Sequence, residues 1–184
     1  MKITGIYQSS LIISLALFSI ISCNSPNTSD RNLLDAKIQF EKDLEKYENV
    51  WNSFLNGDTA VVNKDNFQTD VIVVTNEGNL VGIEAIKKFY MNYLNGFSNI
   101  EFTIIDAFGQ GDRIVKHWNF KGIHTGVFFG IPATGNKLNL SGTTLVEMKD
   151  GKIAKEQDFF DMQSMISQLN KSEGDIIIDE YMGM

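Results

Sequence analysis

Two alternating segments flank a glycine-rich, aromatic stretch, residues 124–135, and they limit the fold more than any other feature of the chain. In each segment every second side chain shares a face, as in a β-strand. The side chains that share a face are Ile114, Lys116, Trp118 and Phe120 in the first segment, and Leu138, Leu140, Thr144 and Val146 in the second. We therefore predict two long strands joined as a hairpin.

Helical patterns precede these strands. Apolar side chains at intervals near 3.6 predict helices over residues 34–55 and 84–94, with a short helix or turn over 58–66 between them. A β-branched run at 71–75 predicts a buried strand. Four longer strands follow, at residues 100–108, 113–125, 137–148 and 152–160. This order predicts an α+β fold in which helices cover one face of a curved antiparallel sheet and leave a ligand pocket between the layers.

Size and charge narrow the class of protein. The 184 residues, 43% of them hydrophobic, are enough for one domain with a sizeable core. The net charge of −7 would repel a polyphosphate chain. We therefore exclude nucleic acid as a partner.

The N-terminus has the pattern of an export signal. Lys2 precedes an apolar run at residues 11–21, which is short for a membrane-spanning helix. Cys23, the only cysteine, follows Ile20-Ile21-Ser22, and this spacing resembles a bacterial lipobox, whose cysteine is lipidated. The resemblance implies a lipoprotein anchored to a membrane on its periplasmic or outer side. The alternatives are an ordinary signal peptide with an incidental cysteine, or an uncleaved anchor.

The predicted organisation has four parts. Residues 1–22 are a lipoprotein signal peptide, and residues 23–32 are a flexible tether. The globular domain covers residues 33–170, and residues 171–184 are a C-terminal extension of unknown role.

Three carboxylates and one histidine are the candidates for chemistry. Glu156 and Asp158 share a face of the last strand, and a carboxylate directed into an apolar pocket would have the raised pKa that acid/base catalysis uses. They could instead face water. Asp106 is in phase with apolar neighbours, which predicts a place near the pocket, although near the strand end it could reach solvent. His124 is in phase with Trp118 and could act as a donor or base, or could cap the strand end.

Aromatic side chains are predicted to form the pocket walls, with core packing as the alternative role. The candidates for substrate contacts are Tyr47, Trp51, Tyr90, Trp118, Phe120 and Phe128, together with Asp106. Asp161 is predicted to cap a C-terminal helix. The two histidines have no carboxylates at ligand spacing, so no metal site is predicted.

Several short motifs carry a family resemblance. Besides residues 124–135, they are residues 82–86, 111–115 and 151–153, which lie at a helix entry, a central turn and the last hairpin. Over residues 50–170 the chain resembles the SnoaL-like polyketide cyclases, or ester cyclases, of the nuclear transport factor 2-like superfamily. The resemblance implies a cone in which a curved antiparallel sheet packs against three N-terminal helices. It also implies dimerisation through the sheet.

The same resemblance implies an activity. In these cyclases an aspartate acts as acid and base in an intramolecular aldol closure, and no cofactor is needed. Relatives often read His-Trp-Asp where this chain has Glu156-Gln157-Asp158. Two functions follow as hypotheses. One is a lipid-anchored cyclase or isomerase that moves a proton on a small carbonyl compound. The other is a non-catalytic module of the same fold that binds a small apolar or aromatic molecule, or a protein.

Overall fold

The computed structural model describes residues 28–171. Three α-helices are present in this range: α1 (Thr28–Leu55), α2 (Ile83–Gly96) and α3 (Met162–Leu169), with one 3₁₀ turn at Thr59–Val61. The strands are β1 (Phe67–Thr75), β2 (Gly78–Val81), β3 (Phe97–Gln110), β4 (Arg113–His124), β5 (Lys137–Lys149) and β6 (Lys152–Phe160).

The first helix is longer than its amphipathic pattern. Helix α1 begins at Thr28, so residues 28–32 are helical and are not part of a flexible tether. Its buried face packs on the sheet through Tyr47, Trp51 and Phe54. The helix ends before Gly57, whose φ of +98° suits a residue without a Cβ.

The sheet is open and curved, with the strand order β2-β1-β6-β5-β4-β3. The predicted four-strand meander is confirmed, and each of its neighbouring pairs is antiparallel. The α+β class is confirmed as well, but the sheet is mixed, because β1 pairs with β6 in parallel. The short strand β2, which pairs with β1, was not predicted from the sequence. Within residues 58–66, where a short helix or turn was predicted, the structure forms the 3₁₀ turn at Thr59–Val61.

The alternation that predicted the central hairpin is present in the structure. In β4 every second residue from Ile114 to His124 is buried, and in β5 the same holds from Leu138 to Met148. The register pairs Ile123 with Lys137, so the two strands form the predicted long hairpin. One face of this sheet is therefore covered by the helices.

Two buried clusters meet under the helices. The first joins α1 to β1 and the near ends of β4, β5 and β6, around Tyr47 and Trp51. The second joins α3 and the loop after β4 to the C-terminal half of β4 and the N-terminal half of β5, around Phe128. As predicted, Asp161 caps α3, since its carboxylate accepts the backbone N–H of Ser164 at 2.9 Å. The space between these clusters holds the polar groups described below.

The predicted signal peptide at 1–22, Cys23 and the extension after residue 171 lie outside the described residues. None of the helices within residues 28–171 has the length and apolar character needed to cross a membrane.

Candidate functional site

A small cavity of about 60 Å³ lies between α1, α2 and the sheet. Two carboxylates and one lysine reach it among mostly aromatic walls. Its lining residues are Trp51, Phe54, Leu55, Tyr90, Tyr93, Phe102, Lys116, Trp118, Phe120, Glu156 and Asp158. The structure thus brings six of the predicted site residues to one cavity: Trp51, Tyr90, Trp118, Phe120, Glu156 and Asp158.

Glu156 is the most deeply placed carboxylate. It is only 1% exposed, and its Oε1 accepts hydrogen bonds from the Tyr47 hydroxyl at 2.5 Å and from Trp51 Nε1 at 3.0 Å. Burial raises the pKa of Glu156 from 4.5 to about 7, although Lys116 and these donors act in the opposite direction. The carboxyl can therefore release or take up a proton near neutral pH.

Asp158 lies on the same face of β6 and is half-buried. Its Oδ1 accepts a hydrogen bond of 2.5 Å from Thr144 Oγ1 on the neighbouring strand, and that hydroxyl accepts one of 2.9 Å from Trp118 Nε1. An indole N–H can only donate. The Thr144 proton is therefore directed to Asp158, which leaves Oδ2 as the oxygen open to other partners.

The Tyr90 hydroxyl lies between the two carboxylates. It is 3.5 Å from Glu156 Oε2 and 3.4 Å from Asp158 Oδ2, both long for hydrogen bonds between oxygens. Burial and the two carboxylates raise the pKa of Tyr90 well above 10, so the phenol keeps its proton. Because it has one proton, it can donate to one carboxylate at a time.

Lys116 adds a positive charge to the cavity. It is 4% exposed, its Nζ donates to the Tyr47 hydroxyl at 2.9 Å, and it lies 4.6 Å from the centre of the Tyr47 ring. Burial lowers the pKa of Lys116, while the charges of Glu156 and Asp158 act to raise it. The cavity is therefore lined by two carboxylic side chains and one buried lysine.

A larger cleft of about 360 Å³ adjoins this cavity, because Tyr93 and Asp158 line both. Its other walls are mainly apolar and come from the end of β1, α2, the loop after β4, and α3. The predicted contact residue Phe128 lies here and does not line the small cavity. Of the two carboxylates that line the small cavity, Asp158 is thus the one that also lines the wider cleft.

His124 does not join the carboxylates. It is fully buried at the far end of β4, where Nδ1 lies 3.0 Å from Thr134 Oγ1 and the ring packs near Phe97 and Phe128. It lines neither the cavity nor the adjoining cleft. Burial lowers its pKa, so the neutral form is favoured. The prediction that His124 assists the carboxylates is therefore wrong. His124 shares a face of β4 with Trp118, but it lies at the end of the strand, away from the cavity.

Asp106 is also placed differently from the prediction. The register of β3 shifts between Ile104 and Asp106, so Ile105 is an extra residue and the alternation inverts after it. Asp106 is exposed and lies opposite His117, on the face away from the cavity. It is not a pocket residue. The prediction failed because the alternation of neighbouring residues does not reveal a bulge in strand pairing.

Sequence reasoning did not identify the roles of Lys116, Thr144 and Tyr47 at the site. Lys116 and Thr144 were already in the alternating sets, where a lysine or threonine among apolar side chains signals a buried polar group. Tyr47 was predicted to contact substrate, but it is fully buried and instead connects Lys116 to Glu156. Within residues 28–171, no three His, Cys, Asp or Glu side chains come together as metal ligands would.

Known structures share this architecture. A structure from Jannaschia sp. CCS1, assigned to the SnoaL-like polyketide cyclases, matches with a TM-score of 0.67 and 18% identity, covering 72% of this chain and 94% of its own. IdmH from Streptomyces antibioticus, assigned as a polyketide cyclase, matches with a TM-score of 0.59 and 18% identity, covering 70% and 99%. TerC, co-crystallised with polyporic acid, matches with a TM-score of 0.58 and 19% identity, covering 71% and 99%.

These likenesses confirm the nuclear transport factor 2-like, ketosteroid isomerase-like cone. No curated protein sequence matches the chain significantly. The sequence model of the SnoaL-like polyketide cyclases matches residues 43–169, which is more than half of the chain and includes α2, the whole sheet and every lining residue of the small cavity. The chain therefore belongs to the SnoaL-like polyketide cyclase family.

Proposed function

We propose that the protein is a cofactor-independent enzyme of the cyclase or isomerase type that moves a proton next to a carbonyl group. One observation carries this proposal: two carboxylates with different environments reach the same aromatic cavity, with the Tyr90 hydroxyl between them. Burial raises the pKa of Glu156 to about 7, which suits an acid that works near neutral pH. The burial of Glu156 argues against the alternative in which this face is open to water.

Asp158 is the base in this mechanism. Its Oδ1 is held by Thr144, and Oδ2 is left to take a proton from the carbon beside the substrate carbonyl. The C–H electron pair then moves toward the carbonyl oxygen and forms an enolate. The hydroxyl of Tyr90 and the ammonium group of Lys116, which line the same cavity, stabilise that oxygen.

Glu156 is the acid. With its pKa near 7, a substantial fraction is protonated at neutral pH. Oε1 accepts hydrogen bonds from Tyr47 and Trp51, and Oε2 lies on the side of Tyr90 and Asp158. In an isomerase the proton returns to a different carbon. In a cyclase the enolate carbon attacks a second carbonyl of the same molecule, and Glu156 protonates the new alkoxide.

The adjoining cleft supports a substrate with an apolar or aromatic body. The small cavity has room for little more than the reacting group, whereas the cleft is larger and mainly apolar. TerC, which shares this fold, was co-crystallised with polyporic acid, an aromatic compound. We therefore propose a small aromatic or apolar carbonyl compound as substrate, with its body in the cleft and its enolisable carbon at Asp158.

Hydrogen exchange in deuterated water tests the proposal without knowledge of the natural substrate. The probe is 1-tetralone, an aromatic ketone with an enolisable CH₂ group, and mass spectrometry follows deuterium incorporation. We expect the protein to accelerate exchange and Asp158→Asn to slow it by about 100-fold or more, the usual contribution of a positioned base. Asp106→Asn is the matched control, because this carboxylate is exposed on the opposite face.

Binding measured in parallel separates the two functions. Trp51 and Trp118 line the cavity, so a bound ketone should change their fluorescence. Binding of tetralone without accelerated exchange would favour the non-catalytic module. Equal exchange by the wild type and Asp158→Asn would contradict the assignment of the base.

We further propose that the domain is exported and held at a membrane by a lipid on Cys23. The support is the apolar run at residues 11–21 and the Ile20-Ile21-Ser22 spacing before the only cysteine. Several acyl chains would hold the protein far more firmly than one. Cys23→Ala should move the protein from the membrane fraction to the soluble fraction of expressing cells, whereas Ser25→Ala, two residues later, should not. Recovery of Cys23→Ala with the membranes would contradict the proposal.

A homodimer through the outer face of the sheet is also proposed. This face carries exposed apolar side chains, among them Ile105 at 54% and Leu145 at 45% exposure. Sedimentation of the soluble domain measures the mass directly, and a monomer at all concentrations would contradict the proposal.

A further inference from the structure

Lys116 is placed as a nucleophile would be, although the mechanism above uses only its charge. It is the one buried lysine within residues 28–171, and it lines the cavity together with Glu156 and Asp158. Nζ has a single hydrogen-bond partner there, the Tyr47 hydroxyl, and it forms no ion pair within 4 Å in the described part of the chain. The aromatic rings of Tyr47 and Phe102 surround it at 4.6 and 5.1 Å.

A short relay can remove the proton from this lysine. Nζ donates to Tyr47 Oη at 2.9 Å, and Oη donates to Glu156 Oε1 at 2.5 Å. When the Tyr47 proton moves to Glu156 and a Lys116 proton replaces it on Oη, the ammonium and carboxylate become a neutral amine and a carboxylic acid. Two separate charges in a buried, aromatic site are thereby removed, and burial favours that change.

We propose that Lys116 captures carbonyl compounds in this cavity as an imine, with Glu156 as the acid that expels water. This inference shares the cavity and the carbonyl substrate class with the proposed function, and in that sense it rests on it. It adds a covalent step and a role for Lys116 that proton transfer by Asp158 does not require.

The step balances within the site. The neutral amine of Lys116 attacks the carbonyl carbon, and a proton passes from nitrogen to oxygen to give a carbinolamine. Glu156 then protonates the hydroxyl group, which leaves as water while the nitrogen lone pair forms the C=N bond. The products are a protonated imine on Lys116, the Glu156 carboxylate and one water molecule. A protonated imine accepts the electron pair of a neighbouring C–H bond more readily than a ketone, so Asp158 would then form an enamine.

Reductive trapping tests the inference on the wild-type chain. The protein is incubated at neutral pH with acetone and sodium cyanoborohydride, which turns each imine into a stable isopropyl amine. Peptide mapping by mass spectrometry compares Lys116 with Lys121, an exposed lysine on the same strand. The reaction runs until Lys121 is measurably modified, so that every experiment yields a ratio. General-acid assistance typically contributes about 100-fold, so we expect Lys116 to react at least about tenfold faster despite its burial.

Two variants identify the cause of the selectivity. Tyr47→Phe breaks the relay, and Glu156→Gln removes the acid. Because each variant loses general-acid assistance, the modification of Lys116 relative to Lys121 should fall at least about tenfold. Modification of Lys116 no faster than Lys121 in the wild type would overturn the inference. Selectivity that persists in both variants would overturn the assigned role of Glu156.

Tetralone exchange and trapping of Lys116 test the proposed function and the imine step independently. If Lys116 is trapped but tetralone exchange is not accelerated, imine capture stands and α-proton transfer falls. If exchange is accelerated and lost in Asp158→Asn while Lys116 is not selectively trapped, the proposed function stands and the covalent step falls.

Discussion

Glu156 should make the folded protein less stable as the pH rises, and Glu156→Gln should remove that effect. The folded carboxyl has a pKa of about 7 against 4.5 for the free group. The folded state therefore binds this proton more tightly than the unfolded state. Its contribution to stability is complete below pH 4.5 and is lost as the pH rises through about 7.

The size of the effect follows from the shift. A difference of roughly 2.5 pKa units, at about 1.4 kcal/mol for each, corresponds to about 3 kcal/mol. Glu156 is 1% exposed, so solvent screening takes little from this figure. The amide of glutamine does not titrate but can still accept from Tyr47 and Trp51. Near pH 4.5 the variant should therefore resemble the wild type, and near pH 8 it should be more stable by about 3 kcal/mol.

Urea unfolding, followed by tryptophan fluorescence at intervals across this pH range, measures the difference directly. Other groups titrate in both proteins, so the quantity of interest is the variant curve minus the wild-type curve. Glu101→Gln, at an exposed position on β3, is the matched control for the loss of one carboxylate. A flat difference for Glu156→Gln would refute the assignment of the raised pKa to burial at this site.

Two further variants probe the shell around Asp158. Gly142→Ala would place a Cβ 2.4 Å from the Trp118 ring and 2.8 Å from the Phe159 carbonyl oxygen, so thermal unfolding should reveal a loss of about 1–3 kcal/mol. A stability equal to the wild type would mean that the indole can move at little cost. Thr144→Val leaves Trp118 Nε1 without its acceptor and Asp158 without its 2.5 Å donor. It should cost about 1–3 kcal/mol in urea unfolding, and Thr144→Ser should restore most of that loss.

The local pattern predicted the elements well because period and neighbours along the chain determine them. The alternation around Trp118 and Leu140 led to the central hairpin, and the spacing of Tyr47, Trp51 and Phe54 led to the first helix. Tether residues 28–32 were assigned wrongly because their polar composition hides a helix that the following turns extend. The parallel pairing of β1 with β6 was missed, since the partners are about 80 residues apart in the chain.

The same holds for the site: periodicity predicted which side chains share a face, but not which distant segments meet there. That Glu156 and Asp158 share a face is a consequence of the two-residue period of β6, and the sequence alone determined it. Only the tertiary structure decided that α1 brings Tyr47 and Trp51 onto Glu156, that Lys116 lies beyond Tyr47, and that His124 is too far along β4 to take part. The bulge before Asp106 was likewise decided by pairing. The physical reason is that periodicity is a property of neighbours in the chain, whereas proton relays and pKa shifts depend on which distant segments pack together.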